Sequence, residues 1–255
     1  ASDYVLRKSK QMRTIVKGFL PMLGVMIITG ALVFVEPDLG ALIVITAIAM
    51  GILFLGGLTL RVILSLAILT PIGVWGAILI SPYKQARIQG FLDPWAPENV
   101  LGSGYQTTQA QMAFGNGEFF GTGVGNSVAK LSFLPEAHTD FIMAIIGEEF
   151  GLFGVTIVIG LFAFLIIRMF GIAKESIKNN RHFAALMTQG VAIWFSIQCT
   201  INIAVNLGLF PTKGLTLPLL SFGGSSVLVS IIAIAIVLRI DHENRRNLRG
   251  QHYNK

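Results

Sequence analysis

Residues able to move protons or hold anions are scarce in this chain, and several sit in one run, Leu134-Pro135-Glu136-Ala137-His138-Thr139-Asp140-Phe141. The run leads straight into an apolar stretch, so Asp140 stands at the mouth of a hydrophobic helix with Glu136 and His138 close in sequence. A carboxylate at an apolar boundary is partly desolvated and takes up a proton more readily, which suits a general base. A structural reading fits the same residues, because Thr139 or Asp140 just before an apolar run is a good helix N-cap. Spacing alone leaves both open. His138 reads as a hydrogen-bonding partner rather than a metal ligand, since a metal site needs three or four ligands and the spacing offers no such set.

A second group of residues suits an anion. Ser221-Phe222-Gly223-Gly224-Ser225-Ser226 falls where an apolar helix should begin, and its N–H groups with the Ser225 and Ser226 hydroxyls would accept a phosphate. Lys213 adds a charge nearby, and Lys84 and Arg87 supply two more cations on another segment. Lipid phosphate or pyrophosphate would fit. A Gly-Gly break that permits close helix packing is the simpler reading of the same residues. Glu148 and Glu149 fall near the start of a predicted span. Either they face a polar cavity or a partner, or they sit in water at the interface. Gln189, Gln198, Asn202 and Asn206 read as interhelical hydrogen bonds worth about 1 kcal/mol each or less, or else as one wall of a polar cavity.

The elements that must position these residues are set by composition. The chain has 255 residues, of which 53% are hydrophobic and 13% charged, with a mean hydropathy of +0.71. Soluble domains are nearer 25% charged. A disordered chain, a nucleic-acid-binding module and an ordinary cytosolic enzyme are thereby excluded, and a polytopic membrane protein is indicated. Cys199 stands alone, which excludes an intramolecular disulfide or a cysteine metal cluster. The start at Ala1-Ser2-Asp3, with no signal-peptide pattern, suggests a chain that begins partway through a larger protein.

Six apolar stretches are long enough to cross a bilayer: 18–35, 39–60, 62–83, 150–167, 183–210 and 219–238. The predicted fold is an all-α integral membrane protein, a polytopic helical bundle forming one membrane domain over 1–255, with a long extracytoplasmic loop at 84–140. Within that loop, Tyr105 to Phe114 reads as a short helix. The glycine-dense stretch from Gly115 to Gly125 suits a segment that dips back toward the membrane. Placing both ends in the cytoplasm puts the Lys and Arg of segments 7–17, 168–181 and 239–255 inside, together with Arg61. Lys84, Arg87, Lys130 and Lys213 are then the outer cations. This asymmetry obeys the positive-inside rule. Most acids, Asp140 among them, fall outside, so the polar chemistry faces away from the cytoplasm. No ATP-binding loop and no internal repeat are visible.

These motifs carry a resemblance. Phe91-Leu92-Asp93-Pro94-Trp95, Gly102-Ser103-Gly104-Tyr105-Gln106, the run 125–131, the run 134–141 and Pro211-Thr212-Lys213-Gly214-Leu215-Thr216-Leu217-Pro218 resemble the SEDS (shape, elongation, division and sporulation) family. Glu36-Pro37-Asp38-Leu39-Gly40 and the run 221–226 fit too, with Phe222 where the family usually has Tyr. The matches run nearly the whole chain in order, and the 125–127 and 211–214 versions look like the division branch. The resemblance implies ten membrane helices, of which this chain holds the last six. It implies a peptidoglycan glycosyltransferase that polymerises lipid II at the outer face of a bacterial cytoplasmic membrane, at the division septum. Asp140 matches the family's essential aspartate. The implied partners are the membrane, lipid II, a class B penicillin-binding protein transpeptidase and other divisome proteins, with no nucleic acid. Metal dependence is left open, a divalent cation (Mg or Mn) being the one cofactor to consider. Lys84, Arg87, Glu136, His138, Lys213, Ser225 and Ser226 are the expected substrate contacts. A lipid II flippase and a non-catalytic division scaffold remain as alternatives. A flippase would spread its acids through the membrane depth, and a scaffold would make Asp140 dispensable.

Overall fold

A computed structural model describes residues 1–12, 14, 18–35, 38–65, 76 and 82–253. The regular structure among them is helical, without a strand. The helices are α1 (Ser2–Arg7), α2 (Leu20–Val35), α3 (Leu39–Leu55), α4 (Pro82–Leu92), α5 (Pro97–Val100), α6 (Tyr105–Gly117), α7 (Ile142–Lys178), α8 (His182–Asn206) and α9 (Gly224–Tyr253). A further helical stretch covers 60–65, and a π-turn covers Ala129–Phe133. By length and composition α7, α8 and the Gly224–Asn247 part of α9 can each cross a membrane, while Leu20–Val33 and Gly40–Leu55 are shorter apolar helices. The predicted third span, 62–83, lies largely outside the described residues.

The boundaries follow local chemistry. Asp38 caps α3, its carboxylate accepting from Ala41 N at 2.9 Å, so the polar turn between the first two apolar stretches doubles as a helix start. The predicted helix at Tyr105 to Phe114 is α6, three residues longer. The fourth apolar stretch is corrected: α7 begins at Ile142 rather than 150 and continues to Lys178. Glu148 and Glu149 therefore lie inside a helix, and the reading that places them in interfacial water fails for Glu148, which is 1% exposed.

Residue contacts gather into two compact units, Ala1–Ala67 with Phe164–Ile197 and Leu228–Lys255, and Ile68–Ala163 with Gln198–Val227. The first is built on Val5, Met12, Phe19, Ile52, Leu53, Leu58 and Leu186. In it α3 and α8 approach closely through Gly51 against Ile193 and Gly190 against Ile52. Polar clamps tie its chain segments together: Arg181 pairs with Glu243 and donates to Asn244 Oδ1 at 3.1 Å, and Arg168 lies 3.6 Å from Asp241. The second unit has one core around Ala110, Ala113, Leu134, Phe141 and Ala144, and another of Met143, Val155, Phe162, Cys199 and Leu217.

In the second unit α7 is broken at Gly151, whose φ is 63° and ψ −164°. The loop at 118–123 enters the break. Leu152 N and Phe153 N donate to Glu118 O (2.9 Å) and Phe119 O (3.1 Å) instead of to the preceding turn. In return Thr122 N and Gly123 N donate to Glu148 O (2.9 Å) and Glu149 O (3.1 Å). The four backbone groups that the break frees are thus all re-paired, as a buried or lipid-exposed backbone requires.

Candidate functional site

The run 134–141 has no helix of its own. Glu136 takes a left-handed conformation, φ 56°, and its carbonyl accepts from the backbone N–H of Thr139, Asp140 and Phe141 at 3.1–3.2 Å. This tight fold turns the chain into α7. Thr139 does not cap the helix: its hydroxyl turns back to Glu136, donating to Oε2 at 2.7 Å. The first-turn donor Ala144 N is served from α8, by Asn206 Oδ1 at 3.0 Å.

Asp140 is half-buried and faces a segment distant in sequence. A methyl group placed on Gly214 would stand 3.6 Å from Asp140 Oδ2, so the carboxylate lies against the Pro211-to-Pro218 segment. That segment is irregular rather than helical and bends at Lys213, whose carbonyl accepts from Leu215 N at 2.8 Å. Lys213 itself is half-buried. The next turn closes onto the same run, Phe222 N donating to His138 O at 2.9 Å. His138, Ile142, Leu220 and Phe222 line an open cavity of about 370 Å³ beside this junction. The structure thus gathers Asp140, His138, Gly214 and Phe222 at the mouth of α7.

The other predicted contacts are placed less centrally. The Glu136 carboxylate is exposed and engaged with Thr139. Ser225 and Ser226 are in the first turn of α9, Ser225 exposed and Ser226 with its hydroxyl 3.0 Å from that of Thr216. The Ser226 contact runs to the Pro211-to-Pro218 segment, so this helix start is tied to the segment that faces Asp140. Arg87 is half-buried on α4, and the side chain of Lys84 is outside the described residues. Lys130, the remaining cation expected on the outer side, pairs with Glu149 at 2.6 Å. Among the described residues no three His, Cys, Asp or Glu side chains gather as a cation site.

Two features escape a linear reading. The amides of Gln198, Asn202 and Asn206 donate to backbone carbonyls of irregular segments, and Asn206 Oδ1 also accepts helix to helix, from Ala144 N of α7. Asn202 Nδ2 donates to Asp140 O (2.8 Å), and Asn206 Nδ2 to the same oxygen (2.9 Å). The signal that could have found them is their spacing of four, which puts three amides on one face of an apolar helix. The second feature is Glu148, which accepts from Ser127 Oγ (2.5 Å) and Ala129 N (3.1 Å), with Asn116 Nδ2 at 3.5 Å. Its carboxylate organises the loop ahead of the run 134–141.

Comparison with known proteins places the chain in a family. A family model of cell cycle proteins, FtsW/RodA/SpoVE, matches residues 1–246. A probable peptidoglycan glycosyltransferase FtsW of Aromatoleum aromaticum is 50% identical over 250 residues, covering 98% of this chain and 60% of the relative. A protein of the same description from Burkholderia thailandensis is 49% identical, with 98% and 54% covered. The chain therefore spans little more than half the length of these curated relatives. Among solved structures, a peptidoglycan synthase complex that coordinates polymerization and crosslinking aligns with TM-score 0.71 at 26% identity, over 94% of this chain and 68% of that one. The rod shape determining protein RodA of Thermus thermophilus aligns with TM-score 0.60 at 23% identity, over 95% and 64%. This last likeness is one of fold, that of an all-helical polytopic membrane protein.

Proposed function

The chain belongs to the FtsW/RodA/SpoVE family of cell cycle proteins, and on that premise we propose that the complete protein is a peptidoglycan glycosyltransferase acting on lipid II in division. The observation that carries the reading is the Asp140 carboxylate beside Gly214, where two motifs far apart in sequence meet at a helix mouth. The reaction joins two sugars. A GlcNAc 4-hydroxyl attacks the anomeric carbon of the donor, the bond from that carbon to undecaprenyl pyrophosphate breaks, and a β-1,4 bond forms with inversion. Asp140 takes the hydroxyl proton as general base, and its contact with a preorganised segment keeps it in one place. The pyrophosphate leaves as an anion, for which Lys213 and the α9 start at Ser225 and Ser226 have suitable chemistry. Lys84 and Arg87 are further phosphate partners on α4, and Glu136 and His138 line the approach to Asp140. The open cavity beside His138, with Ile142, Leu220 and Phe222 in its wall, suits the apolar part of such a lipid. The site faces the outer side of the cytoplasmic membrane at the septum, with both ends of this chain inside. A class B penicillin-binding protein transpeptidase is the proposed partner, a pairing supported by the likeness to a synthase complex. The other partners are divisome proteins.

The test uses the full-length protein with its transpeptidase partner and labelled lipid II. Asp140→Asn keeps the shape and removes the base. It is expected to abolish glycan polymer while leaving folding and lipid II binding largely intact. Polymer made at the wild-type rate by this variant would refute the mechanism.

A further inference from the structure

Neither the run 134–141 nor the segment 211–218 lies in a helix or strand, so something outside them must fix their separation. One face of α8 supplies it. Gln198 (8% exposed), Asn202 (1%) and Asn206 (0%) are buried at intervals of four. Gln198 Nε2 donates to Thr216 O at 2.8 Å, and so holds the 211–218 segment. Asn206 holds the other side, donating to Asp140 O at 2.9 Å and accepting from Ala144 N at 3.0 Å. Asn202, between them, bridges both: its Nδ2 donates to Asp140 O at 2.8 Å and to Leu215 O at 2.6 Å. A side-chain amide carries two N–H donors, one for each carbonyl.

We propose that Asn202 is a positioning residue that ties the main chain of Asp140 to that of Leu215, and thereby sets the distance between the Asp140 carboxylate and the Lys213-Gly214 bend. Asn206 and Gln198 support it, each from one side. The inference rests on the reading of Asp140 as general base. Both carbonyls belong to backbone with no ladder partner in a regular element, and a buried unpaired carbonyl is costly. With the Asn202 amide gone, Leu215 O loses this donor and Asp140 O keeps that of Asn206, so the single side chain that joins the two segments is lost and their separation can drift. A displacement of about 1 Å at a reacting group can lower a rate about a hundredfold.

The experiment compares Asn202→Leu and Asn202→Gln in the full-length protein with its transpeptidase partner. Asn202→Leu keeps the branched outline, at some cost in bulk, and removes the donors. It is expected to lower kcat for lipid II polymerisation about ten- to a hundredfold with KM within about threefold. Asn202→Gln, which keeps the amide, is expected to recover a substantial part of that loss. A merely structural role would lower folded yield and leave kcat per folded molecule unchanged, which would overturn the proposal. A second readout needs no activity. In a Cys199→Ala background, Asp140→Cys with Gly214→Cys is expected to cross-link readily on mild oxidation in membranes, and adding Asn202→Ser should slow that cross-link severalfold. An unchanged cross-linking rate would overturn the proposal even if Asn202→Leu did not fold. Asp140→Asn assayed alongside separates the two readings. If it is dead while Asn202→Leu keeps its kcat, positioning alone falls. If it is active, the base assignment falls, and the cross-linking rates still decide whether Asn202 sets the distance.

Discussion

Glu148 and Lys213 show how differently a single charged residue can serve this protein. The Glu148 carboxylate is enclosed by donors from the end of α6 and from Ser127 and Ala129 beyond it, and is 1% exposed. Glu148→Ala would leave Ser127 Oγ and Ala129 N buried without that acceptor. The expected loss of stability is about 2–4 kcal/mol, read as a lowered thermal unfolding midpoint in detergent. A midpoint equal to that of wild type would mean that the loop holds its shape without the carboxylate. Lys213, half-buried beside Gly214, is instead assigned to the anionic part of the lipid. Lys213→Ala is expected to weaken binding of a pyrophosphate lipid by about 1.5–3 kcal/mol, as for a hydrogen bond to a charged group, and Lys213→Arg by less. Equal lipid II affinity in wild type and Lys213→Ala, measured on the solubilised full-length protein, would remove Lys213 from the site.

Among the elements, α7 is where local and long-range forces meet. An unbroken helix would pair Leu152 N and Phe153 N with Glu148 O and Glu149 O, and the loop at 118–123 takes over all four groups. The exchange needs a residue free to adopt φ 63° at 151, with no side chain in the way. A Cβ at Gly151 would come within 2.5 Å of Gly121 N and of Phe119 C. Gly121, at φ 82°, faces the same constraint from the loop side. Gly151→Ala should therefore combine backbone strain with overpacking, a loss of about 2–6 kcal/mol. Gly160→Ala on the same helix, where nothing lies within 4 Å of an added Cβ, should change stability by less than about 0.5 kcal/mol. Parallel unfolding curves check the pair, and equal midpoints for the two variants would show that the break is not held by this fit.

At the scale of the molecule, two sets of contacts each join segments that the charge asymmetry would place on one side of the membrane. In one, Arg168 and Arg181 meet Asp241 and Glu243. In the other, the run 134–141 meets 211–222 through Gly214 and Phe222. Helices α7 and α8, joined by a short turn at 179–181, fit the same alternation. The proposed topology is checked by single cysteines at two exposed positions, Glu98→Cys and Lys178→Cys, in the full-length protein with Cys199→Ala. An impermeant thiol reagent applied to intact cells is expected to label the first and spare the second. Labelling of Lys178→Cys from outside would overturn the orientation.

The sequence by itself determined what depends on local or summed properties. Apolar runs of bilayer length and the uneven placement of Lys and Arg dictate a helical membrane protein, because hydropathy and charge act residue by residue. The motifs at 134–141 and 211–218 could be recognised, and Asp140 and Lys213 singled out, from residue types in order along the chain. The tertiary structure alone decided who meets whom. The dip in hydropathy at Glu148-Glu149 reads as a helix boundary until Ser127, Ala129 and Lys130 arrive to satisfy those carboxylates, after which α7 can start at Ile142. Gly151 reads as one more tolerated membrane glycine, since the break in α7 exists only with the 118–123 loop paired into it. Asn202 and Asn206 fit an interhelical bond, a cavity wall or a backbone anchor equally well by spacing. An amide's partner is fixed by which unpaired carbonyl the fold delivers to it, and here the fold delivers that of Asp140.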